Sequence, residues 1–213
     1  MTVYCYDTEF LEDGHTIELI SIGIVCEDGR EYYAVNSDMP VDRIHKNDWL
    51  INNVWRHLPV RGLKTGLAGS AGNIRDVVTH DGSLDMRSTL VKPKWVIRNE
   101  VLEFILGGIT PAGEKDGQPW YWSEDLPELW AYYGAYDHVV LAQLFGRMID
   151  LPDLMPKFTH DLMQLIEPLN PKTFIMPKQS GDEHHALADA RWDMEVLRAA
   201  REALKPEVGA RDE

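Results

Sequence analysis

Two carboxylates one residue apart, Asp7 and Glu9, stand near the end of the apolar and aromatic stretch Val3-Tyr4-Cys5-Tyr6-Asp7-Thr8-Glu9-Phe10. On a strand, positions i and i+2 project to one face, so these acids lie side by side. Like charges on a core strand repel each other and cost desolvation energy, and a divalent cation is the simplest compensation. Two solvated acids at a strand end are the plain alternative. Asp137 opens the helical pattern DHVVLAQLF as cap or functional group. Asp189 lies among Ala186, Ala188 and Ala190, small residues that let a helix approach a strand closely. A charge pressed there needs a partner or a metal. Carboxylate oxygens with few histidines favour Mg²⁺ or Mn²⁺ over Zn²⁺. His184 lies in the same segment, and histidine is the residue type best suited to take up a proton at neutral pH.

The elements that must position these groups follow from periodicity and turn chemistry. Strands are expected over 3–10, 17–25 and 31–35, with Asp13-Gly14 and Asp28-Gly29 turning the chain between them. That is an antiparallel meander with its first strand central, and Ile20, Ile22 and Ile24 share one face. A short helix is expected over 47–57, with Trp49, Leu50 and Val54 on one side. From about 60 to 97 glycines break any period, which reads as a loop-rich insertion with a hairpin. Its Arg87, Lys92, Lys94 and Arg98 form a basic cluster, read as a solvated loop before a nucleic-acid contact. A helix over 99–106 stops at Gly107-Gly108. Trp120-Tyr121-Trp122 is read as packing under a long loop, with base stacking as the alternative. A strand over 128–134, a helix over 137–145, a short element within 158–166 and a last helix over 183–204 complete the chain, with a charged tail beyond.

The 213 residues suffice for one domain with a sizeable core, and no apolar run approaches membrane-spanning length. Cys5 and Cys26 form no disulfide framework and no zinc pattern. With no leader-like segment before the first strand, a cytoplasmic protein with free thiols is expected. The net charge of -14 argues against a broad electrostatic footprint for nucleic acid. It counts against a binding module more than against an enzyme whose site gathers acids for metal ions.

Asp7-Thr8-Glu9, Tyr136-Asp137 at a helix start, and the H-x-A-x-x-D of His184 to Asp189 resemble, in order and separation, the motifs of DEDDh 3′–5′ exonucleases of the RNase H-like superfamily. More closely, YDTEFLEDGHTIELISIG and WAYYGAYDHVVL resemble the small actinobacterial 3′–5′ exoribonucleases called RNase AS, over 3–36 and 128–200. Many superfamily members continue the first motif with Thr-Gly, where this chain has Phe10-Leu11, and carry Asn where it has Gly134. Both departures follow the RNase AS-like pattern.

The resemblance implies an α/β fold: an RNase H-like mixed sheet of five or six strands, the meander first, with helices on both faces. It implies one DEDDh domain over 1–204 with the insertion at about 60–97, and a flexible tail over 205–213. By the resemblance, Asp7 bridges two Mg²⁺ or Mn²⁺ ions, Glu9 and Asp189 complete one site, and Asp137 supports the other. His184 is then the general base acting on the attacking water. Thr8 and Phe10 are expected to face the substrate, with Phe10 equally readable as a core residue. This selects His184 over His185, which requires that His184 precede the regular helix. The implied reaction is hydrolysis of RNA from its 3′ end to nucleoside 5′-monophosphates, by a homodimer without membrane attachment. A 3′–5′ DNA exonuclease on the same scaffold is the runner-up. A catalytically silent nucleic-acid-binding module is the other reading, and the intact acids and His184 count against it.

Overall fold

The computed structural model describes residues 1–70, 73–170, 174–179 and 181–205, except the Glu124 side chain; the tail expected over 205–213 lies outside them from 206 onward. The meander forms as β1 (Val3–Glu12), β2 (Ile17–Cys26) and β3 (Glu31–Asn36), and Gly14 and Gly29 supply positive φ at its two turns. Helices α1 (Val41–Ile44) and α2 (Asp48–Asn53) follow, then a 3-10 turn at Trp55–His57. Asn47 caps α2, its side-chain oxygen accepting from the backbone N–H groups of Trp49 and Leu50.

The insertion folds into β4 (Val60–Arg61), β5 (Lys64–Ala68), β6 (Arg75–His80), β7 (Ser83–Leu84) and β8 (Val91–Lys92). β5 and β6 pair as an antiparallel hairpin, β4 pairs with β7, and β8 returns to the main sheet beside β3. After α3 (Lys94–Leu106) come a small hairpin of β9 (Gly113–Lys115) and β10 (Gln118–Trp120), then β11 (Glu128–Ala131) and α4 (Ala135–Gln143). The described chain closes with β12 (His160–Asp161), α5 (Leu162–Ile166) and α6 (Ala186–Ala203).

The main sheet has six strands in the order β12-β11-β1-β2-β3-β8. The meander is antiparallel and the outer pairings are parallel, which is the mixed α/β sheet expected of an RNase H-like fold. One face carries Tyr4, Tyr6, Ile22 and Ile24 against α3 and α4; the other carries Val3, Cys5 and Val25 against α5 and α6. Ile20 and Val35 form a third cluster with Leu50, Val54 and Trp55. Among the described residues no helix is long and apolar enough to cross a membrane.

Four expectations need correction. Ile20 does not share a face with Ile22 and Ile24, because Glu9 pairs with Ser21 and Phe10 with Leu19, leaving Ile20 as the extra residue of a bulge. Trp49 is 52% exposed while Leu50 and Val54 are buried, since α2 lasts only six residues and turns its first residues outward. The helix expected from 99 begins at Lys94, where Asp38 from another segment accepts the first-turn N–H. Trp120 and Trp122 are exposed and pack edge-on against each other, because Trp120 ends the small hairpin outside the main sheet and Trp122 lies just beyond it.

Candidate active site

The site lies where β1 outruns its parallel neighbour. The β1–β11 pairing ends at Cys5 and Trp130, and β11 stops at Ala131. From there one side of β1 has no strand partner among the described residues, and the crevice beyond the carboxyl ends of two parallel strands is where open α/β sheets bind ligands. Asp137, in the first turn of α4, fills the gap: its Oδ1 accepts from the Thr8 backbone N–H at 2.9 Å and from the Thr8 hydroxyl at 2.6 Å. The chain reaches α4 through Tyr133, in left-handed conformation with φ 55°, and Gly134, where a Cβ would stand 2.7 Å from that of Ala131. Gly134 thus answers a close approach, which explains why no larger side chain stands there.

α6 supplies the other acids. Gly23 is the cross-strand partner of Asp7, and without a side chain there the first turn of α6 lies directly on β2. This brings Asp189 to Asp7 and Glu9. Asp189 accepts from the His184 backbone N–H at 3.0 Å and from the Gln179 side-chain amide. One carboxylate oxygen each of Glu9 and Asp189 and one imidazole nitrogen of His184 lie within 4.8 Å of one another.

The adjacent histidines differ in role. α6 begins at Ala186 with His185 as its N-cap, so His184 lies ahead of the helix, with φ 68°. The His185 ring accepts from the Ala188 N–H at 3.4 Å and stacks on Tyr33 at 4.5 Å. The His184 ring instead stands at the site and meets Trp49 edge-on at 4.8 Å.

Electrostatically the cluster is a concentration of unneutralised acid. Burial, then the charges of Asp137 and Glu9, holds the Asp7 carboxyl well above its usual range. Burial and the charge of Asp189 push Glu9 up to about 8. Asp137 rises to about 6 through burial, opposed by its hydrogen bonds from Thr8. Burial also raises Asp189, against the pull of the Gln179 amide. Asp7 Oδ2 is sealed from solvent and has no hydrogen-bond partner among the described residues. A sealed carboxylate oxygen without a donor calls for a proton or a cation. The all-oxygen set of Asp7, Glu9, Asp137 and Asp189 fits a hard divalent ion.

Of the residues expected to face substrate, Thr8 is 4% exposed and its hydroxyl is committed to Asp137. Phe10 is half-buried and stacks on the exposed Tyr136, with centroids 5.9 Å apart. Sequence reasoning did not single out Asp193, one helical turn beyond Asp189, though that i+4 spacing was a usable signal. Asp193 is buried, its carboxyl raised well above the usual range by burial, and it accepts the Tyr132 backbone N–H at 3.2 Å. With Asp7, His184, Asp189 and Trp192 it lines a cavity of about 240 Å³.

A family model described as the 3′–5′ exoribonuclease Rv2179c-like domain matches residues 2–200. Two proteins of Mycobacterium tuberculosis, 3′–5′ exoribonuclease MT2234.1 of strain CDC 1551 / Oshkosh and 3′–5′ exoribonuclease Rv2179c of strain H37Rv, are each 40% identical to this chain over 189 residues. Each match covers 88% of this chain and 86% of the relative.

Proposed function

Because the chain belongs to the Rv2179c-like 3′–5′ exoribonuclease family, we propose that it shortens RNA stepwise from the 3′ end by the DEDDh two-metal route, releasing nucleoside 5′-monophosphates. The observation that carries this reading is the buried acid cluster: the charges of Asp137, Glu9 and Asp189 all bear on Asp7, whose Oδ2 has no hydrogen-bond partner among the described residues. Asp7, Glu9, Asp137 and Asp189 would hold a pair of Mg²⁺ or Mn²⁺ ions. When bound, such ions stabilise charge on the phosphate and make water a better nucleophile.

The chain's own groups do the rest. Thr8 fixes Asp137 through two hydrogen bonds to one oxygen, so this acid cannot swing away from β1. His184 takes a proton from the attacking water at an imidazole nitrogen, held on a short loop whose N–H is anchored on Asp189. The Phe10–Tyr136 pair offers an aromatic surface beside the acids for the terminal base. Residues 1–204 form one exonuclease domain, and the protein works in the cytoplasm as a homodimer.

The test is a digest of 5′-labelled RNA, and of DNA of the same sequence, with Mg²⁺ or Mn²⁺. RNA should shorten one nucleotide at a time and DNA more slowly, because the 2′-hydroxyl is the available discriminator. A blocked 3′ end should stop the reaction. Internal cuts in a circular RNA, or faster loss of DNA, would overturn the reading.

A further inference from the structure

A groove of about 810 Å³ separates α2 from the β5–β6 hairpin, a volume at the upper end of the ~300–1,000 Å³ usual for ligand sites. Its walls are fixed to each other. The Asn52 side-chain oxygen accepts from the Val78 N–H of β6 at 2.8 Å, and Arg56 bridges to Asp76 of β6 at 2.5 Å. Trp49 forms its end: this exposed ring lines the groove and meets the His184 ring edge-on at 4.8 Å. The groove therefore opens beside the catalytic base.

The lining chemistry suits a nucleic-acid single strand. Arg56 is neutralised by Asp76, but no ion pair among the described residues engages Arg75, which stands exposed on the hairpin wall. Asp48 is the opposing acid at the rim, so the groove carries no net excess of positive charge. It is no sink for bulk polyanion. A strand entering it would be held by stacking on Trp49 and by the phosphate contact that Arg75 can make, a combination typical of sequence-tolerant single-strand sites. A double helix has its bases already stacked and could not use Trp49 this way. The Asn53 amide donates to the Trp49 carbonyl at 2.8 Å, which leaves its oxygen as an acceptor for base or ribose donors.

We infer that this groove carries the single-stranded RNA upstream of the scissile phosphate, with Trp49 stacking against a base next to His184 and Arg75 holding a phosphate further back. The inference rests on the exoribonuclease reading. It gives the insertion a duty: RNA that runs along the groove would gain the Arg75 contact, so the hairpin would make the enzyme favour longer RNA.

The experiment compares kcat/KM on a ten-nucleotide and a two-nucleotide RNA for wild type, Trp49→Ala, Trp49→Phe and Arg75→Gln. Binding of the ten-nucleotide RNA is measured alongside, with Asp7→Asn added to each protein to prevent turnover. In Arg75→Gln and Trp49→Ala the preference for the longer RNA should shrink fivefold or more, and binding should weaken about tenfold, the scale of one lost charged phosphate contact in the first and one lost stacking contact in the second. Trp49→Phe, which keeps an aromatic face, should recover most of both. Arg75→Gln is decisive, because Trp49→Ala also alters the surroundings of His184. An active wild type whose length preference and binding survive Arg75→Gln would overturn the groove assignment alone. A wild type that leaves both RNAs intact would overturn the exoribonuclease reading, and this inference with it.

Discussion

Gly23 faces Asp7 across the β1–β2 pair, and a Cβ placed on it would stand 2.3 Å from the Leu187 backbone nitrogen. The obstacle is backbone at the start of α6, so no side chain can swing aside to make room. Gly23→Ala should push α6 from the sheet and carry Asp189 with it. The expected cost is about 1–3 kcal/mol of stability, as for other overpacked sites. Turnover should fall further than the lost folded fraction accounts for, when both proteins are assayed well below their melting points. Unchanged melting and unchanged kcat would show that α6 does not set the acid spacing.

Thr8 and Asp137 give a second expectation. The 2.6 Å hydroxyl bond to a carboxylate belongs to the class worth about 1.5–3 kcal/mol. Thr8→Val keeps shape and strand propensity, and should lower kcat/KM roughly ten- to a hundredfold if that energy holds Asp137 in its working position. Thr8→Ser should restore most of it. A loss below twofold in Thr8→Val would leave the backbone N–H as the only support that matters.

The two histidines should separate cleanly. His184→Ala should reduce the rate about a hundredfold or more, the usual scale for a lost general base. His185→Ala removes a helix cap, so it should cost about 1 kcal/mol of stability while keeping most of the turnover. Kinetics and thermal melts on the two variants check both halves. Normal turnover in His184→Ala, with loss of metal in His185→Ala, would reverse the assignment.

Stability should depend on pH in the direction opposite to that of an ordinary salt-bridged acid. Glu9 and Asp137 have ordinary values of 4.5 and 3.8 and rise to about 8 and about 6 in the fold. Between those limits the folded protein holds protons that the unfolded chain has released, so stability is full below about pH 4 and falls as pH rises toward 8. With divalent ions chelated, the melting temperature should drop from pH 5 to pH 8. Mg²⁺ or Mn²⁺ should restore it at pH 8 by binding only the folded state. Asp7→Asn should keep the downward direction of the chelated profile, since burial and not the Asp7 charge is what chiefly raises Glu9 and Asp137, while abolishing most of the ion's effect. A chelated profile flat from pH 5 to 8, or an equal ion shift in Asp7→Asn, would contradict this.

The meander and its acids were legible because the signals are local. Tight Asp-Gly turns fix antiparallel neighbours, and the i, i+2 spacing alone puts Asp7 beside Glu9. Ile20 was misread because a bulge is an event between strands and leaves no mark in a single strand's alternation. The start of α3 leaves no local signal because the acid that accepts its first N–H, Asp38, comes from a distant segment. Asp193 looked like any polar residue of an amphipathic helix until the packing of α6 against the sheet buried it. The insertion was opaque for a related reason: its hairpins show local turns, but the groove exists only where β6 meets α2.

The left-handed backbone at His184, with φ of 68°, sets thermal endurance against turnover at one position. Such a residue costs about 1–2 kcal/mol relative to a relaxed conformation. Glycine at 184 would release that strain and erase the imidazole in one step. Neutralising an acid of the cluster would likewise harden the ion-free protein and silence it. A search for heat-resistant variants scored by folding alone would therefore be drawn to these residues first, and its best survivors would be inert.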